Sequence, residues 1–213
     1  MKLLIATQNA GKVQELRRLM AGLPVEPLLP AEAGLALDVD ETGTTFEANA
    51  EQKARAFAEA SGLPALADDS GLVVDALDGR PGVRSARYAG EPRSDRRNLE
   101  RVLAELADVP DGRRTARFVC VAALAVPAGG AAFAGVPPGG VAWFRGTCEG
   151  RLGREPRGSD GFGYDPIFLP TGHDRTFAEL PAVEKDGLSH RGAALRALRA
   201  HLAGRLGTAP AQA

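Results

Sequence analysis

Two adjacent carboxylates stand out in the segment ADDSG, which runs from Ala67 to Gly71. Side chains alternate between faces in an extended chain, so Asp68 and Asp69 would point in different directions and could hold different tasks. One could bind a hard cation such as Mg²⁺ while the other orients or deprotonates a water molecule. A plain acidic turn between two strand segments explains the same residues without any chemistry. Both interpretations stay open on this segment alone.

A second candidate segment is TQNAGK, from Thr7 to Lys12, which lies between an apolar run and an amphipathic helical pattern. A strand that enters a turn and then a helix directs backbone N–H groups at an anion, most often a phosphate. The segment is not a Walker A loop, because Ala6 stands where the first glycine belongs and Val13 follows Lys12. An ordinary strand-to-helix turn remains the alternative.

Two further segments carry aromatic and basic side chains. GFGYDP, from Gly161 to Pro166, places Phe162 between glycines, which leaves room for a planar ligand beside the ring and offers Asp165 as an acceptor. EKDGLSHR, from Glu184 to Arg191, brings Lys185, His190 and Arg191 to the start of the last predicted helix. A core phenylalanine and a capped helix with solvated charges are the alternatives without a ligand.

Composition narrows the choice of function. The 213 residues suffice for one domain, and the 26 basic and 27 acidic side chains balance, which predicts no nucleic-acid or membrane surface. The apolar start MKLLIA is too short to be a signal or a membrane span, so we expect a cytoplasmic protein. Cys120 and Cys148 lack zinc-site spacing, and we expect both to be buried and chemically inert.

Alternating periodicities predict an α/β fold with a mixed sheet. The predicted elements are a strand at Lys2–Thr7 with a helix that stops near Gly22, a helix at about Phe46–Ala60, strand segments on both sides of Asp68–Gly71, a helix after Ser94, strands at Thr115–Val126 and Val141–Cys148, and a helix from His190 to about Leu206. The Gly/Pro-rich stretch 127–140 is predicted to be a loop. Residues 1–207 are expected to form a single domain, followed by a frayed tail at 208–213.

The order and spacing of TQNAGK, ADDSG, GFGYDP and SHR closely resemble the non-canonical purine nucleoside triphosphate pyrophosphatases, the inosine triphosphate pyrophosphatase-like family. The resemblance covers the chain from Lys2 to about Leu202. It implies an elongated α/β fold with a long mixed sheet flanked by helices, two lobes and a central nucleotide cleft. It also implies a homodimer and hydrolysis of inosine, deoxyinosine or xanthosine triphosphate to the monophosphate and pyrophosphate with Mg²⁺, for which Mn²⁺ could substitute.

The resemblance also implies roles for individual residues. Asp69 would be the catalytic base and a metal ligand, assisted by Asp68 and Lys12, with Asp40 or Glu41 as the further metal ligand. The substrate-binding residues would be Thr7, Gln8, Asn9, Ala10, Gly11 and Lys12 at the triphosphate, Lys53 at the leaving pyrophosphate, Ser70 on the nucleotide, and Phe162, Gly163, Tyr164, Asp165, Lys185, His190 and Arg191 around the base. Two features depart from the family pattern: Asp40 stands where a glutamate is expected, and the 127–140 loop is longer than usual.

Hydrogen-bond chemistry accounts for the implied rejection of adenine, whereas guanine keeps the 6-oxo group and would have to be rejected through its 2-amino group. Hypoxanthine and xanthine present a 6-oxo acceptor, whereas adenine presents a 6-amino donor, so His190 and Arg191 would meet adenine with unpaired donors. Two other functions remain open on the sequence. The first is a related house-cleaning pyrophosphatase for modified pyrimidine triphosphates, against which the Ser189-His190-Arg191 segment argues. The second is a nucleotide-binding module without turnover, against which the intact Asp68 and Asp69 argue.

Overall fold

The computed structural model describes residues 1–7 and 10–206. The strands are β1 (Lys2–Ile5), β2 (Glu26–Leu28), β3 (Ala65–Val74), β4 (Thr115–Ala125), β5 (Val141–Leu152) and β6 (Phe168–Pro170), and the α-helices are α1 (Ala10–Leu19), α2 (Phe46–Ser61), α3 (Asp95–Glu105), α4 (Ala182–Leu188) and α5 (His190–Leu206). The strands form one sheet in the order β2-β1-β3-β4-β5-β6. Strand β1 is parallel to β2 and β3, and β5 is antiparallel to β6, so the predicted mixed α/β sheet is confirmed.

The helix boundaries follow from local capping chemistry. Thr45 accepts a hydrogen bond from the N–H of Ala48 at the start of α2, and Gly62 ends that helix in the left-handed region at φ 67°. Ser94 caps α3, and the Ser189 hydroxyl accepts from the N–H of Gly192 at the start of α5. Of the two caps predicted for α2, Thr44 or Thr45, the structure has Thr45, and the caps predicted at Ser94 and Ser189 are confirmed.

The predicted acidic turn at Asp68–Gly71 is wrong, because β3 runs through it without interruption. Buried apolar side chains precede and follow the two aspartates on this strand, and both carboxylates are themselves buried at 5% and 6% exposure. Ion pairs and hydrogen bonds compensate the burial of charge, as described below, so the strand tolerates the acidic pair. Two short elements, β2 and β6, and the separate helix α4 were missed because each has fewer than eight residues.

The described residues divide into two compact units. Of the described residues, the first contains 1–7, 10–69, 121–145 and 194–206, and the second contains 70–120 and 146–193. Strands β3, β4 and β5 each contribute residues to both units. The expectation of a single domain over 1–207 stays a prediction, and the expected tail at 208–213 lies outside the described residues.

The second unit has a well-defined aromatic core. Phe118, Phe168 and Phe177 pack on one another, with ring centroids 4.7 to 5.9 Å apart. Cys148 belongs to the same core, where burial raises the pKa of its thiol to about 11. Cys120 is buried as well, and the prediction that both cysteines are free and buried is confirmed.

The loop at 127–140 contains neither a helix nor a strand of the sheet, as predicted. It is nevertheless packed: Phe133, Ala134 and Val136 are buried, and Phe133 and Val136 form an isolated antiparallel bridge. Among the described helices, none has the length and apolar character that a membrane span requires.

Candidate active site

Asp68 and Asp69 lie in the first unit with different partners. The carboxylate of Asp68 forms an ion pair with Lys12, at 2.9 Å between Nζ and Oδ2. Asp69 accepts a hydrogen bond at 3.0 Å from the side-chain amide of Asn49 and lies 4.0 Å from the Lys53 ammonium. The two carboxylates therefore have different partners, and their separate chemical tasks stay a prediction. We call Lys12, Glu41, Asn49, Lys53, Asp68 and Asp69 the acidic cluster.

Lys53 lies at the centre of the acidic cluster. Its Nζ donates to Glu41 Oε1 and to the backbone carbonyl of Asp68, both at 2.8 Å. Burial by itself lowers the pKa of Lys53, but the negative charges of Asp69, Asp68 and Glu41 outweigh it and raise the pKa above its ordinary value. Lys53 therefore carries a positive charge in this cluster, as a residue that neutralises phosphate must.

The environment of Asp69 suits a general base. Burial raises the pKa of its carboxyl above the ordinary value, and the charge of Glu41 acts in the same direction. Lys53, the Asn49 amide and Lys12 oppose this rise without cancelling it. A raised pKa brings a carboxylate closer to the range in which it accepts a proton from water efficiently.

Asn49 is a site residue that sequence reasoning did not select. Its side chain is fully buried, and it bridges two groups: Oδ1 accepts from the N–H of Gly43 at 2.8 Å, and Nδ2 donates to Asp69. The backbone donor at Gly43 fixes the orientation of the amide, so the donor end must face Asp69. The sequence feature that could have identified Asn49 is its position on the polar side of α2, one turn before Lys53.

Replacement of Asn49 by Ala is expected to lower the free energy of unfolding by about 1–3 kcal/mol, because the Gly43 N–H and the Asp69 carboxylate both lose a buried partner. Urea unfolding measures the change. Gln52→Ala is the matched control, since Gln52 is an amide on the same helix whose contact to Thr42 is long, at 3.4 Å, and exposed. Equal losses in the two variants would contradict the bridging role of Asn49.

A divalent cation fits the carboxylates of the acidic cluster. Among the described residues, no group of three or more His, Cys, Asp or Glu side chains could hold a metal ion by itself. Mg²⁺ usually binds through one or two carboxylates and takes its remaining ligands from water and substrate phosphates. Asp69 and Glu41 could supply these two carboxylates, since both lie near the Lys53 ammonium, at 4.0 Å and 2.8 Å. Asp40 is exposed, and its role as a ligand stays a prediction.

The segment predicted to bind phosphate lies at the start of α1. Thr7 follows β1, α1 begins at Ala10 and continues through Gly11, and Lys12 reaches Asp68 from the first turn of that helix. Gln8 and Asn9 lie outside the described residues. The structure thus brings Lys12 to the acidic cluster, and the phosphate-binding roles of Thr7 to Gly11 stay predictions.

A second group of predicted residues assembles in the second unit around Phe162. The Lys185 ammonium lies 5.3 Å and the Arg191 guanidinium 5.6 Å from the centroid of the Phe162 ring. Lys185 also pairs with Asp165 at 2.8 Å, and Arg191 donates to the hydroxyl of Ser70 at 2.9 Å. We call Ser70, Phe162, Asp165, Lys185 and Arg191 the aromatic cluster. Two cations near one ring favour a planar, electron-rich ligand with acceptor atoms on its edge.

Asp165 has a structural task in this cluster. Its Oδ2 accepts from both Lys185 and the backbone N–H of Phe162, and the side chain is 3% exposed. A Cβ on Gly161 would lie 2.2 Å from that same oxygen, so only glycine fits there. The glycine before Phe162 is therefore required by the carboxylate that orders the loop.

Two predicted base-binding side chains lie partly in the core. The Tyr164 ring is buried, and its hydroxyl donates to the Ser85 carbonyl at 2.8 Å, while burial raises the pKa of that hydroxyl well above its usual range. The His190 imidazole stacks on Phe118 with 4.7 Å between ring centroids. His190 and Arg191 both begin α5, as predicted, and Gly163 lies in the loop after Phe162. The contacts of these residues with a base stay predictions.

The mixed-sheet α/β fold, the buried carboxylates flanked by lysines, and the cations around an aromatic ring define a class of protein. It is an α/β protein whose sites are chemically suited to phosphate groups, a divalent cation and a planar ring.

The chain belongs to the Ham1 family, whose family model matches residues 3–201. It is 50% identical over 197 residues to a dITP/XTP pyrophosphatase from Halalkalibacterium halodurans, covering 92% of this chain and 95% of that protein. It is also 50% identical over 200 residues to a dITP/XTP pyrophosphatase from Streptomyces coelicolor, covering 92% of this chain and 94% of that protein. A solved HAM1 protein from Coxiella burnetii superposes with a TM-score of 0.84 at 42% identity, covering 96% of this chain and 99% of that one. The family resemblance inferred from the four motifs is confirmed.

Proposed function

We propose that this protein hydrolyses non-standard purine nucleoside triphosphates, such as those of inosine, deoxyinosine and xanthosine, to the monophosphate and pyrophosphate. The single observation that carries the proposal is the buried Asp68–Asp69 pair with a lysine at each carboxylate. The names of the relatives from Halalkalibacterium halodurans and Streptomyces coelicolor, both dITP/XTP pyrophosphatases, support the substrate class.

In the proposed reaction, Asp69 accepts a proton from a water molecule whose oxygen attacks the α-phosphorus. The bond between that phosphorus and the bridging oxygen breaks, and pyrophosphate leaves with the bonding electrons. Lys12 and Lys53 neutralise the negative charge that accumulates on the pyrophosphate, and Asn49 keeps the Asp69 carboxylate in place. Positioning and charge neutralisation supply most of the rate in such reactions, so no covalent nucleophile is needed.

Mg²⁺ is the proposed cofactor, with Mn²⁺ as a substitute, and Asp69 and Glu41 are the proposed protein ligands. When bound, such an ion supplies positive charge to the phosphate oxygens. Lys53 lies against Glu41 in the acidic cluster and would exchange that partner for a phosphate oxygen when substrate binds.

The aromatic cluster is the proposed site for the base. Arg191 and Lys185 would donate to the 6-oxo edge that hypoxanthine and xanthine share and that adenine lacks. This selectivity separates inosine and xanthosine triphosphates from adenosine triphosphate, and the substrate panel described below separates the proposal from a pyrophosphatase for modified pyrimidine triphosphates. A homodimer and a cytoplasmic location are further proposals, supported by the family resemblance and by the cytoplasmic nucleotide pool on which such an enzyme acts.

A product analysis tests the reaction. We expect inosine monophosphate and pyrophosphate in equal amounts, measured by anion-exchange chromatography, with activity that requires Mg²⁺ or Mn²⁺ and stops in excess chelator. Inosine, xanthosine, adenosine, guanosine and modified pyrimidine triphosphates should be compared in the same assay. Orthophosphate and a nucleoside diphosphate as first products would contradict the proposed bond cleavage, and binding without turnover would favour the non-catalytic alternative.

A further inference from the structure

The loop that carries Phe162 has an anchor on each of two consecutive backbone N–H groups. The N–H of Phe162 donates to Oδ2 of Asp165 at 2.9 Å, and the N–H of Gly163 donates to Oδ2 of Asp95 at 2.8 Å. Asp165 is a near neighbour in the sequence, whereas Asp95 lies 68 residues away as the first residue of α3. Two carboxylates from different elements therefore hold the backbone conformation at Phe162 and Gly163.

The backbone around Phe162 depends on these anchors because the flanking glycines restrict it little. Gly161 and Gly163 both adopt positive φ, at 80° and 63°. Glycine moves between these conformations and ordinary ones at low cost. A Cβ on Gly163 would meet no atom within 4 Å, so side packing does not hold that residue. The hydrogen bond that the Gly163 N–H donates to the Asp95 carboxylate holds it instead.

We propose that Asp95 is a positioning residue: by holding the Gly163 N–H it sets the orientation of the Phe162 ring and so the affinity for the purine base. This inference rests on the function proposed above and adds a residue that none of the four motifs contains. Within the described part of the chain, Asp95 accepts from the backbone of the loop rather than from side chains of the acidic or aromatic cluster, so it acts through that backbone.

The expected effect lies in KM. Phe162 belongs to the aromatic cluster with Lys185 and Arg191, and none of these residues takes part in the proposed proton transfer. A contact that binds the base equally in the ground state and in the transition state changes KM and leaves kcat unchanged. Loss of the Asp95 anchor should therefore weaken substrate binding without slowing the chemical step.

Asp95 also has a purely structural reason to be acidic, since a negative charge in the first turn stabilises a helix. Asp95→Asn separates the two roles. The asparagine side chain keeps an oxygen that accepts from Gly163 but loses the charge that interacts with the helix dipole. Asp95→Ala loses both, so the pair of variants distinguishes positioning from helix stability.

The experiment measures kcat and KM for inosine triphosphate with the full chain. For Asp95→Ala we expect KM to rise about five- to tenfold, the effect of one lost hydrogen bond to a charged acceptor at an exposed site, with kcat within about twofold of the parent. Asp95→Asn should keep KM within about twofold of the parental value, although this variant loses the negative charge just as Asp95→Ala does. Arg96→Ala is the matched control, because Arg96 is the next residue of α3 and its exposed side chain pairs with Glu100 on the same helix; both constants should stay at the parental values.

A double-mutant cycle with Phe162→Ala tests the route of the effect. If Asp95 acts through the ring, Asp95→Ala should have no further effect on KM once the ring is gone. Additive effects would overturn the inference, as would an unchanged KM in Asp95→Ala or equal defects in the Ala and Asn variants. A parental enzyme that fails to hydrolyse inosine triphosphate would refute the proposed function itself and the inference with it, whereas an active parent with an insensitive Asp95 refutes the inference alone.

Discussion

Replacement of Asp69 by Asn is expected to lower kcat for inosine triphosphate by about 10²–10⁴-fold, the usual loss when a general base is removed. Asparagine has nearly the same shape as aspartate but cannot accept the proton from water. The fold should persist, because the Asn49 amide and Lys53 already surround this side chain in a buried site. Steady-state kinetics measures kcat, and calorimetry with inosine monophosphate checks that nucleotide binding survives.

The partner variant Asp68→Asn identifies which carboxylate is the base. Asp68 forms an ion pair with Lys12, so its replacement releases that lysine without removing the group assigned to proton transfer. We expect a smaller loss of kcat than in Asp69→Asn. Turnover of Asp69→Asn within about tenfold of the parent, together with the larger loss in Asp68→Asn, would transfer the role of base to Asp68.

Replacement of Arg191 by Ala is expected to lower kcat/KM for inosine triphosphate by about 10²-fold while the low value for adenosine triphosphate hardly changes. The reason is the loss of a charged hydrogen bond to the 6-oxo group, worth about 1.5–3 kcal/mol. Adenine has no acceptor at that position and loses nothing. The ratio of the two kcat/KM values is the decisive measurement, and it does not depend on the fraction of folded enzyme because both substrates meet the same preparation.

The ratio of kcat/KM for inosine triphosphate to kcat/KM for adenosine triphosphate also distinguishes a residue that contacts the base from one that contacts phosphate. A residue that binds phosphate would lower kcat/KM for both triphosphates equally. Arg199→Ala is the control, since Arg199 is an exposed arginine of the same helix whose guanidinium donates to the Ala21 carbonyl. If the ratio is unchanged in Arg191→Ala, the base-edge contact belongs to another donor, and Lys185 is the next to test.

Local sequence signals predicted the long elements closely. Helix α5 begins at His190 and ends at Leu206, as its periodicity and the Ser189 cap predicted, and α2 begins one residue after its Thr45 cap. These boundaries depend on side chains within a few residues of the helix end, so they can be inferred without knowledge of the fold. The predicted turn at Asp68–Gly71 is wrong, because β3 is continuous there. The burial of the apolar side chains before and after this segment outweighs the turn preference of its residues.

The alternating periodicities determined the α/β class, and the four motifs by themselves determined the family and the two carboxylates expected to do the chemistry. Their residue types and order are local properties of the chain. The tertiary structure decided which side chains meet them: Lys53 pairs with Glu41 and lies 4.0 Å from Asp69, Asn49 bridges Gly43 to that carboxylate, and Asp95 anchors the Phe162 loop. The hydrogen bonds of Asn49 with Asp69 and of Gly163 with Asp95 join residues 20 and 68 positions apart. Hydrogen bonds form only within about 3 Å, so the path of the backbone through the whole sheet determines which distant residues reach that range.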